Sequence, residues 1–176
     1  MKKLTFILFF QFLFSQAIPV EIDLEKSFLS YEGKHPAHNW TGISNDIKGS
    51  FIFDKDQPIL SSVDLYIPVF SFNSGNSNRD SNMLDVVEDY FYPSVNFISS
   101  SITKEKEQYY INGVMFFHGI EKKMRIPVKF IIENDIIVVD TNFIISLSDH
   151  DIKRPSFLTI KIKDNIEIKL HLVGSI

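Results

Sequence analysis

Apolar residues recur at every second position along most of this chain, the pattern of strands with one buried and one exposed face. The clearest case is the last segment, where apolar and charged or polar residues alternate from Ile166 to Leu172. Val95 to Ile102 and the less regular stretch Ile22 to Tyr31 are also predicted strands, and Lys34 to Gly42 is a possible one. Further single-face sets are Ile47, Gly49, Phe51, Phe53; Val63, Leu65, Ile67, Val69; Tyr109, Ile111, Gly113, Met115, Phe117; Met124, Ile126, Val128, Phe130; and Val139, Thr141, Phe143, Ile145, Leu147.

Short turns separate these segments. Asp54 to Pro58, His118-Gly119 and Glu133 to Asp135 carry the residues that favour turns, and a longer loop runs from Ser148 to Pro155. Pro68 indicates an edge or a bulge at that point of its strand. About eight antiparallel strands result, enough to close a small barrel. A two-sheet sandwich explains the same alternation.

One segment departs from the strand pattern. After a strand that ends at Phe72, a polar loop from Asn73 to Asp80 leads into a predicted short helix from about Ser81 to Asp89. Tyr92-Pro93 then opens the next strand. A helix inserted between strands predicts a lid or plug on an all-β body, which suggests that the body encloses something.

The N-terminus has the features of a secretory signal peptide. Lys2 and Lys3 precede an apolar run that is too short for a membrane span of ~20 residues, and Ser15-Gln16-Ala17 fits a cleavage site. We therefore expect residues 1–17 to be removed, residues 18–176 to form one domain, and the mature protein to be periplasmic or secreted. No later stretch is apolar and long enough to predict a stable membrane span.

Composition narrows the functional classes. The formal net charge is −4 and no basic run is present, which argues against a nucleic-acid surface. There is no cysteine, so stability must come from apolar burial, to which 17 phenylalanines contribute. The sequence has no G-x-S-x-G, P-loop or H-E-x-x-H motif. We therefore expect no enzyme and no cofactor, and nothing in the pattern indicates an oligomeric state.

The histidines raise the question of a metal. His35 and His38 are three residues apart, which on a single strand places them on opposite faces and makes them a poor chelating pair. His118 precedes a turn glycine, where a hydrogen bond to backbone is its ordinary role. Trp40 reads as a plug at one end of the barrel. We expect no metal site.

Five stretches in order resemble the YceI-like family of secreted, lipocalin-like, isoprenoid-binding proteins. They span nearly the whole chain after residue 17, so the match is fairly specific. The stretches are IDLEKSFLSYEGKHPAHNWTG; IKGSFIFD with SSVDLYIPVFSFNSGN; NRD with LDV-x-x-x-YFYPSVNF; YYINGVMFFHGIEKKMRIPVKF; and SLSDHDIKRPS.

The resemblance implies an all-β, eight-stranded antiparallel lipocalin-like barrel with a short helical insertion. It also implies that the interior holds a long apolar isoprenoid-type lipid, polyprenyl or quinone-like, which the protein binds, stores or carries. Gly49 and Gly113 would leave room for that chain. The expected lining is Phe51, Phe53, Leu65, Ile67, Val69, Phe97, Ile111, Gly113, Met115, Phe117, Ile126, Val128, Phe143, Ile145, Ile168 and Leu170.

The candidates for contact with a head group, or for the mouth, are Arg79, Asp80, Tyr90 and Tyr92. The alternative for the first two is structural: a loop ion pair, or a helix cap provided by Asp80. Inward apolar residues are also most often plain core. A ligand-free envelope or stress-related interaction protein therefore stays open, as does a metal enzyme that uses His35 or His38 with His118.

Overall fold

In a computed structural model of the protein, the described residues are 17–54, 59–157 and 159–176. The predicted signal peptide and the turn at 54–58 therefore lie almost wholly outside the described residues. The described part holds one α-helix, α1 (Ser77–Val86), and 3-10 turns at Val69–Ser71 and Ser148–His150. The strands are β1 (Ala17–Ile22), β2 (Phe28–His35), β3 (His38–Ser44), β4 (Lys48–Asp54), β5 (Ile59–Pro68), β6 (Ser94–Glu105), β7 (Gln108–Phe117), β8 (Ile120–Glu133), β9 (Ile136–Ser146), β10 (Ser156–Phe157), β11 (Ile160–Lys161) and β12 (Asn165–Ser175).

Eight of these strands form a closed antiparallel barrel. Their order is β1-β4-β5-β6-β7-β8-β9-β12, and β12 pairs back to β1 through Glu21 with Ser175 and Ile22 with Gly174. Closure leaves no unpaired edge along most of the wall. The predicted eight-stranded barrel with a helical insertion is confirmed, and the sandwich alternative is wrong.

The predicted strand from Ile22 to Tyr31 is broken in two. Asp23 accepts hydrogen bonds from the backbone N–H of Glu25 (3.1 Å) and Lys26 (3.2 Å), which makes a turn between β1 and β2. Ser27 then joins the break to β12, because its hydroxyl donates to the Val173 carbonyl (3.2 Å) and accepts from the Val173 N–H (2.9 Å). β1 and β2 therefore occupy successive halves of one edge of β12.

The possible strand from Lys34 to Gly42 is a hairpin rather than a strand. β2 and β3 meet at a turn formed by residues 36 and 37, so that His35 pairs directly with His38. The far edge of β3 joins the rest of the wall through a single bridge, in which Ile43 and Asn73 exchange backbone hydrogen bonds of 3.0 and 2.9 Å. The hairpin therefore extends the wall at one end of the barrel only.

The two ends of the barrel interior differ. At the end formed by β1, β4 and the C-terminal half of β12, Phe51, Leu60 and Ile137 are completely buried and Leu172 nearly so. Inward side chains from facing strands meet there and fill the interior. A second apolar cluster, which includes Met115, lies at the other end beneath α1. Helix α1 therefore covers the end of the barrel opposite the packed end.

Helix α1 begins four residues earlier than predicted. Asn76 is the N-cap, and its side chain accepts a hydrogen bond from the Arg79 N–H at 3.1 Å. Asp80 lies in the first turn, where both of its carboxylate oxygens accept from the Ser74 N–H (3.1 and 3.2 Å). The predicted start at Ser81, with Asp80 as its cap, is therefore wrong.

Two smaller features also differ from expectation. Pro68 is the last residue of β5 rather than the site of a bulge, and the irregular pairing of that strand lies opposite Ile52 and Phe53. The loop after β9 contains a 3-10 turn and leads into the short hairpin β10–β11. The turns at His118-Gly119 and Asn134-Asp135 are confirmed. None of the described helices is long and apolar enough to cross a bilayer.

Candidate functional site: an apolar cavity with a polar mouth

A cavity of about 410 Å³ lies between the barrel wall and α1. Strands β2, β5, β6, β7, β9 and β12 supply most of its wall, and α1 covers one side. The apolar lining residues are Leu29, Val63, Leu65, Ile67, Val69, Phe72, Met83, Val86, Val87, Val95, Phe97, Ile111, Met115, Phe117, Ile126, Phe143, Ile145, Leu147, Ile152, Ile162, Ile166, Ile168 and Leu170.

Most of the predicted lining residues lie on this wall, as alternation along the strands requires. Phe51, Phe53 and Val128 do not, because they belong to the packed end of the barrel. Their inward direction was inferred correctly, but the sequence pattern does not show where along the axis the packed interior gives way to the cavity. The predicted residues on the wall are Leu65, Ile67, Val69, Phe97, Ile111, Met115, Phe117, Ile126, Phe143, Ile145, Ile168 and Leu170.

Gly113 also lies away from the cavity wall. A Cβ atom on Gly113 would run into the backbone carbonyl of Ile98 and would lie 2.6 Å from the Phe97 ring. The pairing of β6 with β7 shifts register beside it, between Ser99 and Ser101. Gly49, with φ +123°, likewise abuts the backbone of Asp64. Both glycines allow neighbouring strands to approach closely, and neither leaves room in the interior.

Helix α1 turns one face toward the cavity. Arg79, Asn82 or Met83, and Val86 follow one another at the three- and four-residue spacing that aligns side chains on a helix. Met83 and Val86 are half-buried against the wall, whereas Asn82 is exposed. The helix therefore contributes apolar side chains to the interior and polar ones to its edge.

The mouth of the cavity is defined by the lining residues that remain exposed to solvent: His38, Asn82, Pro155 and Ser156. Trp40 and Arg79 lie at the same edge, with the Arg79 guanidinium 5.6 Å from the centre of the Trp40 ring. This distance is within the range of a cation–π interaction. The mouth is thus aromatic and cationic, although the interior behind it is almost wholly apolar.

A row of rings continues along the hairpin at this mouth. The His38 ring lies 5.5 Å from Trp40 and 5.7 Å from His35. Trp40 packs flat over Gly33, where any Cβ atom would collide with the indole. The predicted plug role of Trp40 therefore becomes a rim position, in which the indole lies half-buried on the cavity wall.

Tyr31 supplies a polar atom to the inner side of the mouth. Its hydroxyl oxygen is buried and makes no well-formed hydrogen bond with any described residue. Burial raises the pKa of this hydroxyl, and the nearby Trp40 indole and Arg79 charge oppose that shift while the Asp80 charge adds to it. Tyr31 therefore presents a neutral O–H group to the cavity region.

Of the four predicted mouth residues, only Arg79 lines the cavity. Asp80 is engaged with the loop at Ser74. Tyr90 is 88% exposed and projects into solvent, so it does not pack against the barrel. Tyr92 lies against His118, with ring centres 4.6 Å apart and ring planes inclined by 56°, and is not among the cavity-lining residues. A loop ion pair between Arg79 and Asp80 does not form among the described ion pairs.

The histidines do not form a metal site among the described residues, where no group of three potential ligands meets. The expectation that His35 and His38 face opposite ways is wrong, because they lie on two strands and face each other across a hairpin. His118 hydrogen-bonds the His150 carbonyl (2.7 Å) and the Glu88 carboxylate (3.1 Å). His150 is buried, which lowers its pKa, and its Nδ1 bonds the Phe117 carbonyl (3.2 Å).

The sequence also matches known proteins over most of its length. The pattern of the YceI-like domain matches residues 21–174. The chain belongs to the YceI-like family. A YceI-like relative, a UPF0312 protein of Photorhabdus laumondii, is 29% identical over 108 residues, which cover 58% of this chain and 55% of that protein. The alignment thus spans little more than half of that relative.

Solved structures share the fold of this YceI-like chain. BcnA of Burkholderia cenocepacia superimposes with a TM-score of 0.79 at 23% identity, over 88% of this chain and 100% of that one. A polyisoprenoid-binding domain from Saccharophagus degradans, described as implicated in plant cell wall breakdown, superimposes with a TM-score of 0.71 at 14% identity, over 89% and 97%. At these identities the likeness establishes the barrel architecture of the YceI-like family alone.

Sequence reasoning missed the contribution of the β2–β3 hairpin to the site. Leu29, Tyr31, Gly33 and His35 alternate on β2 and all line the cavity. The period-two signal was present, but the break at residues 23–27 obscured it. The predicted helix from Ser81 also leaves out Arg79, which belongs to the first turn of α1 and lines the cavity.

Proposed function

We propose that this protein binds a long apolar lipid of the isoprenoid type, polyprenyl or quinone-like, in the barrel cavity and stores or carries it. The observation that carries this proposal is an apolar cavity of about 410 Å³ beneath α1, with a polar mouth at one edge. The Saccharophagus domain of the same fold is named for polyisoprenoid binding, which supports the choice of ligand class. No step of covalent chemistry is part of the proposal.

The cavity can supply useful binding energy. A water molecule occupies ~30 Å³ of liquid, so about 410 Å³ has room for roughly a dozen groups of CH₂ size. At ~0.8 kcal/mol for each buried CH₂, these groups give about 10 kcal/mol of transfer free energy. Association costs at least ~4 kcal/mol. About 6 kcal/mol remain, which corresponds to a dissociation constant on the order of tens of micromolar.

The geometry favours neither of the two alternative functions. A ligand-free interaction protein predicts a filled interior, and the cavity beneath α1 argues against it. A metal enzyme requires His35 or His38 near His118, yet His118 contacts Glu88, His150 and Tyr92 instead. No observation on the described residues favours that enzyme, so lipid binding is the function that the geometry supports best.

The experiment is native mass spectrometry of the purified protein, followed by extraction with organic solvent. We expect an adduct with the mass of a long-chain prenyl or quinone species, and its loss after extraction. The extracted protein should then take up farnesol, whose chain is about as long as the cavity can accept. Extracted protein that stays folded and takes up no farnesol would end the proposal.

We also propose that the protein acts in the periplasm or outside the cell, since residues 1–17 have the features of a secretory signal. Expression of the full chain in a Gram-negative host, followed by fractionation, tests this. We expect the protein in the periplasm or the medium, with a mass that lacks the first 17 residues. Full-length protein confined to the cytoplasm would contradict the expectation.

A further inference from the structure

Arg79 is a cation with no carboxylate partner among the residues that the structure describes. The other two arginines are paired: Arg125 with Glu105, and Arg154 with Asp164. Arg79 makes no ion pair with any carboxylate of the described residues, and its one hydrogen bond to protein is a long one, 3.5 Å to the Ser74 carbonyl. Most of its five N–H donors therefore have no acceptor from that part of the chain.

The position of the Arg79 guanidinium at the cavity wall suggests a role for its charge. Arg79 is half-buried on the cavity wall, and Trp40 supports its guanidinium from one side. The apolar surroundings lower the local dielectric constant and strengthen any interaction with an opposite charge compared with open solvent. An arginine held beside an aromatic ring, at the edge of an apolar cavity, resembles half of an ion pair whose other half belongs to a ligand.

The neighbouring polar groups are mostly donors as well. The Tyr31 O–H is buried and has no well-formed hydrogen bond among the described residues. The Trp40 indole is a donor only, and the Asn82 amide at the mouth has two donor hydrogens. Asp80, the next residue in the sequence, directs both carboxylate oxygens to the Ser74 N–H. Its charge weakens the positive potential at Tyr31 but does not neutralise Arg79 by contact.

We propose that the lipid held by this barrel has an anionic head group, a phosphate monoester or a similar oxyanion, and that Arg79 at the cavity mouth pairs with it. The inference rests on the proposed function and narrows it, because it separates charged prenyl lipids from neutral quinones and alcohols. The planar guanidinium donates two parallel hydrogen bonds to an oxyanion, a geometry that lysine cannot provide. Tyr31 and Asn82 supply further donors within the same mouth.

The chain offers its own probe for a test. Trp40 is the only tryptophan and lies on the rim beside Arg79, so intrinsic fluorescence reports this site alone. Extracted protein is titrated with farnesyl phosphate and with farnesol, which share one chain and differ in the head group. We expect the phosphate to bind about tenfold more tightly or better at low salt, with a preference that shrinks as salt is added.

Two variants assign the preference to Arg79. Arg79→Gln should bind both ligands with the affinity that wild type has for farnesol, and Arg79→Lys should keep part of the preference. Arg125→Gln is the matched control: Arg125 pairs with Glu105 and stacks on Tyr110, with 3.5 Å between its Cζ atom and the ring centre. It should behave as wild type, since it removes an equal charge at a position outside the cavity lining.

The outcomes separate the two proposals. Equal affinity for the two ligands in wild type, or a phosphate preference that survives Arg79→Gln, overturns the anionic head group and leaves lipid binding in place. Binding of neither ligand to folded wild-type protein overturns both. Retained farnesol binding in Arg79→Gln shows that the variant is folded, so a lost preference cannot be ascribed to a damaged barrel.

Discussion

Filling the cavity with protein side chain should remove lipid binding without unfolding the barrel. Val95 on β6 is half-buried and lines the cavity. Val95→Phe adds about four heavy atoms, each similar in size to a water molecule of ~30 Å³. They would occupy about 120 Å³, close to a third of the cavity of about 410 Å³. At ~0.8 kcal/mol per excluded CH₂, the ligand loses about 3 kcal/mol, or roughly a hundredfold in affinity.

Val139→Phe is the matched control, because Val139 is 3% exposed, faces inward on β9 and belongs to the packed end rather than to the cavity. The same added ring overpacks that end and should cost ~1–3 kcal/mol of unfolding free energy. Its farnesol affinity should nevertheless match wild type. Val95→Phe should instead lose farnesol affinity, while the free energy of unfolding of the extracted protein changes by less than ~1 kcal/mol.

Two measurements decide between these expectations. Farnesol affinity is measured by Trp40 fluorescence, and the free energy of unfolding by urea denaturation of extracted protein. If Val95→Phe binds farnesol as tightly as wild type, the ligand does not occupy this cavity and the energetic reasoning fails. It also fails if both variants lose affinity equally while folded, since the effect then has no relation to the cavity.

Three further predictions concern the barrel itself. Gly113→Ala should lower the free energy of unfolding by more than ~1 kcal/mol in a urea titration, because a Cβ atom there collides with the backbone of β6. Ser27→Ala should cost ~1–3 kcal/mol, since the buried Val173 N–H loses the Ser27 hydroxyl as its acceptor, whereas the Val173 carbonyl keeps the Asp23 N–H. The exposed Ser61→Ala should stay within ~0.5 kcal/mol. Burial lowers the pKa of His150, so the unfolded chain binds a proton more readily; stability should decline as the pH falls below ~6.5, and His150→Gln should flatten this part of the profile.

The barrel was predictable because its signal is repeated. Strands β5 and β7 to β9, together with β12, each place apolar residues at every second position, and a period of two over many short segments leaves few architectures. The breaks were harder to predict. The break between β1 and β2 is joined to β12 by hydrogen bonds between Ser27 and Val173, almost 150 residues away in the chain, and no local pattern reports such a contact. Pro36 lies in the turn of the β2–β3 hairpin, and it is the turn signal within the stretch from Lys34 to Gly42 that is predicted as a possible strand.

The site was predictable in its chemistry but not in its boundaries. Alternation identified which side chains point inward, whereas the depth of each along the axis depends on how facing strands are staggered. Phe51 and Met115 both occupy inward positions of alternating strands in the sequence. In the structure, Phe51 is packed at the filled end and Met115 lines the cavity. The polar loop before α1 offers Asn76 and Asp80 as equally suitable N-caps. A cap at Asp80 gives a helix that starts at Ser81, whereas the cap at Asn76 places Arg79 in the first turn.

Because one end of the barrel is packed with Phe51, Leu60 and Ile137, the cavity meets solvent at the other end, beside His38 and Asn82. A lipid bound as proposed could therefore not pass through the barrel from end to end. A hydrocarbon longer than the cavity would have to fold back inside it or extend between His38 and Asn82 into water. Under the proposed function, the length of the lipid therefore sets how much apolar chain is exposed to water at the mouth.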